Sequence, residues 1–452
     1  MPSETSIAFI TLGCAKNEVD SDKMRALLRA AGYRIVDDPE AADLTVVNTC
    51  GFLASAVEEG LDTIFAALGV TDAPDIPVNK VLVTGCMPAR YGADLEEELP
   101  EVAGFLPCAE EDRIVEKVGQ ILSQRVEAQA GPLRDELGPH AYVKISDGCD
   151  RFCSYCMIPY IRGRYHSYPY ERIRDEVAEL AAGGVREVVL IGQDTGIWGR
   201  DLPQPSCTRE LLAGLAGEFP QLWFRLMYIQ PEGITDELLH TMGATPNICS
   251  YIDIPLQHVD STILQRMNRS GSPEQIAALI ARIRQLVPDM MIRTTLMTGF
   301  PGETDEQFQE LMDFVAEAGF DYAGVFAYST EEGSKAAEFE DQVDDDIRLE
   351  RAQKLLDLCD SCGFARNAAH VGQRVECVVE GYEETDAGIE ALARWQGQAP
   401  DVDGMVHIPL EGGAQLELGE RVEVELVDSF CYELIGVPVA DATDGEAPSD
   451  VR

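Results

Sequence analysis

Cys149, Cys153 and Cys156 lie in the run GCDRFCSYC with the spacing C-x3-C-x2-C. Three thiolates this close can hold three corners of a cubane iron-sulfur cluster, whose usual ligand set is four cysteines, so one iron is left open to bind and reduce something. A partial zinc site is the other reading, but zinc sites normally pair C-x2-C with a second distant pair or with histidines at fixed offsets. His166, downstream of the run, has no such partner.

Three further cysteines stand in comparable settings: Cys14 in TLGC, Cys50 in NTC and Cys86 in TGC, spaced 36 residues apart. Each follows a short apolar run (Ile7 to Leu12, Leu44 to Asn48, Val81 to Thr84), and amphipathic segments such as Ser55 to Leu68 lie between them. That alternation is the signature of an open parallel α/β sheet. Ligands of such sheets sit at the carboxyl ends of the strands, where these thiols could converge. Three small buried thiols at strand ends is the competing reading.

The elements that must position these groups divide the chain into regions expected at 1–128, 135–366 and 370–440, with a disordered tail at 441–452. Residues 126–140 are small, polar and proline-bearing, which reads as a linker. Beyond it, strands are expected at Tyr142 to Ile145, Glu187 to Ile191, Trp223 to Tyr228, Tyr251 to Ile254, Met290 to Leu296 and Tyr322 to Tyr328. Helices are expected at Glu171 to Ala182, Thr208 to Leu215, Pro273 to Leu286 and Asp305 to Ala318. Six such repeats predict a partial (β/α)6 barrel with its site at the carboxyl face, and the first cysteine run follows the first strand as that rule requires. A helical pattern from Ile347 to Ala368 carries Cys359 and Cys362, which share a helix face and read as structural thiols. Alternating β residues broken by Gly and Asp clusters then predict a small antiparallel barrel.

Composition narrows the partners. The 35 Lys and Arg residues stand against 80 Asp and Glu, a formal net charge of −45. A field of that sign repels phosphate backbones and favours basic partners. The terminal barrel region, Val371 to Ala440, carries fifteen acidic side chains against three arginines and no lysine, so it lacks the electrostatic footprint of an RNA-binding barrel. The first residues do not form a signal peptide, and no run of about 18 apolar residues suggests a membrane span. A cytoplasmic protein is expected, in which 13 cysteines serve as metal ligands or buried thiols rather than disulfides.

The motif CDRFCSYC with the six-strand region resembles the radical S-adenosylmethionine enzymes, and the whole chain is similar to their methylthiotransferase branch. The resemblance is carried by TLGCAKNEVDSD, NTCGF, TGCM, GCDRFCSYCMIPYIRGRYHS, DIPLQH and TGFPGETDEQF, and by a terminal barrel like a TRAM domain. It implies two 4Fe-4S clusters, one on Cys149, Cys153 and Cys156 and an auxiliary one on Cys14, Cys50 and Cys86, with S-adenosylmethionine as cofactor. The first would generate a deoxyadenosyl radical that takes hydrogen from an unactivated C–H, and the second would carry the sulfur. GCAKNEVDSD, NTCGF and IGQDTGIWGRD look more like the members that modify the β-carbon of an aspartate in small-subunit ribosomal protein S12 than like those that modify tRNA adenosine. A basic protein substrate agrees with the charge, and tRNA does not. A non-catalytic, metal-stabilised ribosome-binding module is a further alternative. The family also needs an electron donor.

Secondary candidates follow from position. Tyr155 is placed to lie against adenine or to support the loop. Gln193 and Asp194 end the second barrel strand and could reach ribose or carboxylate groups, or cap the next helix. Arg293 is placed to pair with a carboxylate, of the cofactor or of the protein. GFPGET, Gly299 to Thr304, reads as a tight turn, since it lacks the Lys-Ser/Thr of a phosphate loop. His258 reads as a hydrogen-bonded strand-end histidine. Where relatives usually have Ser-Arg-Pro, this chain has Ser167-Tyr168-Pro169, which leaves Arg162 or Arg164 to compensate.

Overall fold

The structure, a computed structural model, describes residues 5–69, 80–124, 131–135, 137–386, 388–410 and 415–439. The tail expected at 441–452 and residues 126–130 and 136 of the expected linker lie outside them.

The first region is a five-stranded parallel sheet. Strands β1 (Ser6–Thr11), β2 (Arg34–Val36), β3 (Leu44–Thr49), β4 (Val81–Gly85) and β5 (Gly104–Pro107) are ordered β2-β1-β3-β4-β5, with helices α1 (Ala15–Ala30), α2 (Ala54–Leu68), α3 (Cys86–Glu98) and α4 (Ile114–Ile121) packed on them. Every residue of β3 and β4 is buried, as β-rich runs covered on both faces should be. The two outer strands were not expected, because three or four residues are too few to display a period.

The central region opens with β6 (His140–Lys144), the short hairpin of β7 (Ser146–Asp147) and β8 (His166–Ser167), and between them α5 (Ile158–Ile161). It continues through α6 (Tyr170–Ala182), β9 (Glu187–Ile191), α7 (Thr208–Glu218), β10 (Trp223–Leu226), α8 (Asp236–Ala244), β11 (Tyr251–Gln257), α9 (Ser261–Arg266), α10 (Pro273–Leu286), β12 (Met291–Thr298), α11 (Asp305–Ala318) and β13 (Tyr322–Ala327). Residues alternate along the strands. Val143, Val188, Leu190, Phe224 and Ile292 face the helices, while Tyr142, Val189, Ile191, Trp223, Met227 and Tyr322 fill the interior. The wall is two parallel half-sheets, β10-β9-β6 and β11-β12-β13, joined among the described residues by the bridge Phe224–Ile248. The open edge of β6 is covered by α1, which lays Ala15 and Val19 against the interior residues. The segment expected as a linker is in part docked: Arg134 is buried and bonded to Glu176 of α6 and Tyr142 O. Its planar guanidinium gives a polar stretch one strong anchor.

Helix α12 (Asp345–Ala368) leads to β14 (Arg374–Thr385), β15 (Gly388–Trp395), β16 (Val406–Pro409), β17 (Arg421–Phe430) and β18 (Glu433–Pro438), a closed barrel in the order β14-β15-β16-β18-β17. An all-antiparallel barrel was expected. The pairing that closes it, β16 with β18, is parallel, and parity requires this because an odd number of strands cannot alternate direction around a ring. This barrel caps the amino-terminal mouth of the central one. Asp403 accepts from Tyr251 and Arg293, Asp401 from Tyr142, and Arg394 joins the buried Glu187–Arg225 pair. The carboxyl ends of the central strands are left free for chemistry.

Candidate functional site

Cys14, Cys50 and Cys86 come from the carboxyl ends of β1, β3 and β4, and chain topology alone brings them together. Glycine makes the approach possible. A Cβ on Gly13, whose φ is +99°, would lie 2.9 Å from the Cys50 Cβ, and one on Gly51 would lie 2.8 Å from the carbonyl carbon of Cys86. Asn17, on the first turn of α1, donates to Leu12 O and Thr49 O at 2.9 and 3.1 Å and ties two of the strand ends together. Arg90 donates to Gly51 O at 2.8 Å and pairs with the buried Glu331 of the central region, whose other oxygen accepts from Ala54 N–H.

The second triad is local. Gly148 turns with φ +70°, and a Cβ there would run into Arg164 O. Cys149 N–H donates to Gly163 O, Ser154 N–H to Met267 O, and Cys156 N–H to Cys153 O. Phe152 holds φ +46°, unusual for a bulky residue. The Asn268 amide donates to both Arg151 O and Phe152 O and clamps that turn.

Both triads suit a cluster more than a single ion. Among the described residues no three His, Cys, Asp or Glu side chains approach closely enough to hold one metal ion. A cubane asks for something different, because each thiolate binds its own iron at a separate corner. Burial and neighbouring thiols push up the Cys50 thiol to about 11, the Cys156 thiol to about 12, and Cys149 as well. A bound cation removes that penalty by holding each sulfur as thiolate.

Cys86 differs. A hydrogen bond from Cys108 and, against the opposing effect of burial, the Arg162 guanidinium bring it down to about 6. Arg162 donates to the Cys86 sulfur at 3.8 Å, to Asn17 Oδ1 at 2.9 Å, and to Asp20 and Asp147 at 3.1 Å each. Lys144 joins the same buried group through Asp20, Glu111 and Asp147. One arginine thus touches a sulfur of the first triad and a carboxylate two residues before Cys149. Against the second triad the corresponding cation is Arg269, 3.9 Å from the Cys153 sulfur and bonded to Gln230 Oε1 and Pro255 O.

The secondary candidates separate. Gln193 sits at the carboxyl end of β9 with both amide atoms buried and unpartnered, the state of a group awaiting a ligand. Asp194 is engaged, bonded to Arg151 at 2.7 Å and accepting from Gly196 N–H, so its capping role is realised. Tyr155 leans on the barrel core beside Cys153 and Arg269. Arg293 pairs with a protein carboxylate, Asp403 of the terminal barrel, at 2.5 Å. His258 is buried and accepts from Asp260 N–H at 3.0 Å, as a strand-end histidine. Gly299 and Gly302 both take positive φ in the expected tight turn, and Thr304 with Gln307 forms a capping box on α11. Tyr168 lies under Arg172, 3.9 Å from its ring centroid. Arg164 is mostly exposed and paired with Asp150, so the buried arginine of this segment is Arg162.

Asn17, Asp20, Lys144, Cys108 and Arg269 were not anticipated as parts of the site. Asn17 and Asp20 carry a local signal, three and six residues after Cys14 on one helical face. Arg269 has none, being brought to Cys153 only by the fold.

Comparison with known proteins agrees with this geometry. Residues 6–107 match the model described as uncharacterized protein family UPF0004, residues 143–315 the radical SAM superfamily and residues 371–439 the TRAM domain. The ribosomal protein uS12 methylthiotransferase RimO of Geobacter sulfurreducens is 40% identical over 448 residues, covering 96% of this chain and 98% of that protein. The enzyme of the same name from Symbiobacterium thermophilum is 40% identical over 95% of this chain and 90% of its own length. Among solved structures, the radical S-adenosylmethionine methyltransferase TsrM of Kitasatospora setae shares the fold, with a TM-score of 0.55 at 13% identity over 79% of this chain and 89% of that one.

Proposed function

This chain belongs to the ribosomal protein uS12 methylthiotransferase family, and from that premise we propose that it adds a methylthio group to the β-carbon of an aspartate in small-subunit ribosomal protein S12. The observation that carries the reading is the pair of three-thiol sites on facing loops of two docked regions, joined by Arg162. The enzyme is a radical SAM methylthiotransferase that uses S-adenosylmethionine and 4Fe-4S clusters, which supply the radical and the sulfur when bound.

The chain's own residues set up that chemistry. Cys149, Cys153 and Cys156 would hold one cluster, and Cys14, Cys50 and Cys86 the other. Gln193 offers an unpartnered donor and acceptor for the cofactor, and Tyr155 packs beside Cys153 and Arg269. Arg162, bonded at once to Asp147 and to the Cys86 sulfur, fixes the two loops relative to each other. Helix α1 and the terminal barrel close the side and the amino-terminal mouth of the central barrel, which keeps water from a reactive intermediate. The net charge of −45 suits a basic ribosomal protein and opposes tRNA. No helix among the described residues is long and apolar enough to cross a membrane, and we place the protein in the cytoplasm, where an external one-electron donor would reduce it.

Anaerobic reconstitution followed by iron analysis tests the assignment. About eight irons per chain correspond to two cubanes, and zinc in their place refutes it. Incubation with ribosomal protein S12 and, separately, with tRNA should add a methylthio mass to the protein alone.

A further inference from the structure

The central barrel and the helix beside it carry several buried or half-buried cations, and nearly all of them are already engaged. Arg162 is held by Asp20 and Asp147, Lys144 by Asp20, Glu111 and Asp147, Arg151 by Asp194 and Glu232, and Arg293 by Asp403. Arg269 is spent on Gln230 Oε1 and Pro255 O.

Lys16 is the exception. It lies on the first turn of α1, two residues after Cys14, where that helix enters the side of the central barrel. Among the described residues its ammonium has no hydrogen-bond or ion-pair partner; it stands over the ring of Tyr228, 3.6 Å from the centroid. Besides burial, the charged groups that act on it are Cys14, Arg162, Asp147 and Asp253, so its surroundings include a thiol of the dispersed triad and the carboxylate two residues before Cys149. Tyr228 is itself held rigidly. Its φ is +60°, its N–H donates to Asp253 Oδ2 at 3.1 Å, and its carbonyl accepts from Thr195 N–H. A strained residue fixed on both sides beneath an uncommitted cation is the mark of a binding position.

The substrate chemistry supplies the missing group. An aspartate presented for reaction at its β-carbon brings a carboxylate attached directly to that carbon, and a carboxylate entering an enclosed site needs a cation. We propose that Lys16 is the specificity-determining residue that takes the side-chain carboxylate of the substrate aspartate and so holds its β-carbon between Cys14 and the Cys149 loop. This rests on the protein-substrate reading above. Lysine suits the role, since a compact ammonium on a flexible stem follows a single carboxylate oxygen without demanding a planar fork.

The test compares binding of ribosomal protein S12, and of its form with the target aspartate changed to asparagine, to the reconstituted enzyme by fluorescence anisotropy. The wild type should prefer the aspartate form by on the order of tenfold, the worth of one charged hydrogen bond. Lys16→Gln should bring the aspartate form down to the affinity of the asparagine form at unchanged iron content, and Lys16→Arg should recover part of the preference. If Lys16→Gln keeps the preference, or weakens both forms equally, the role assigned to Lys16 is wrong while the substrate stands. If the wild type binds neither form, the substrate reading falls and takes this proposal with it.

Discussion

The two thiol triads hold the same number of sulfurs and are built in opposite ways. Cys149, Cys153 and Cys156 share one eight-residue stretch whose shape is held by local bonds and by Asn268. Cys14, Cys50 and Cys86 are scattered over three β-α units and meet only because a parallel sheet returns each strand end to one edge. Their surroundings differ as well. The local triad touches a cation, Arg269, bonded to neutral oxygens, whereas the dispersed triad touches Arg162, which is locked among buried carboxylates shared with the other region. A site made by sequence proximity needs little outside itself; one made by topology depends on the packing of whole domains.

Removing sulfurs should separate the two most strongly. Cys149→Ala, Cys153→Ala or Cys156→Ala should abolish both cleavage of S-adenosylmethionine and methylthiolation. Cys14→Ala, Cys50→Ala or Cys86→Ala should end methylthiolation and leave cleavage, with iron falling from about eight to about four per chain. Equal loss of cleavage from both sets would erase the division of labour.

Arg162→Met comes next. It leaves Asp20 and Asp147 with Lys144 as their shared cation, and because breaking a buried ion pair outright typically costs about 3–5 kcal/mol, the loss should approach the lower end of that range; chemical denaturation of the apo protein reads this directly. Arg269→Met, with no buried carboxylate to strand, should cost less than half as much, and a reversed order would contradict the contrast drawn above. Gly51→Ala should cost about 1–3 kcal/mol through the contact of its Cβ with Cys86. It should lower iron at the dispersed site while the electron paramagnetic resonance signal of the local site persists.

The smallest effect is pH-dependent and reaches only the local side. His140 begins β6, the strand that feeds the Cys149 loop. Against burial, hydrogen bonds to Asp401 and Glu380 of the terminal barrel raise it to about 9. Because the folded value lies above the unfolded one, this contribution is complete below about pH 6.5 and is lost as pH rises through about 9. The Tm difference between wild type and His140→Gln should therefore shrink across that interval, and a difference that grows with pH would assign the ion pair the wrong sign.

How much could be read in advance follows the same contrast. The local triad was legible from spacing alone, and the central helices at Pro273–Leu286 and Asp305–Ala318 and the strand Glu187–Ile191 stand where their periodicity puts them. The dispersed triad was legible as a 36-residue recurrence at strand ends that could converge, with buried structural thiols as an equal reading until family resemblance was added. Arg293 was expected to bind a carboxylate of the cofactor or of the protein; it pairs with Asp403, 110 residues away, and nothing in its sequence neighbourhood distinguished that carboxylate from a ligand's. Lys144 looks like an ordinary surface charge in a row of letters, and Arg162 stood out only as one of two possible substitutes for a missing arginine. Only the docking of α1 onto β6 turns them inward.

Chain order gives the Arg162 bond a history. All three dispersed thiols, with Asn17 and Cys108, are synthesised before residue 162, so a nascent chain can gather them while Cys86 still lacks its guanidinium neighbour. Until Arg162 is in place the Cys86 thiol lacks the cation that, with Cys108, lowers it, so the electrostatic character of the dispersed site depends on a residue of the later region.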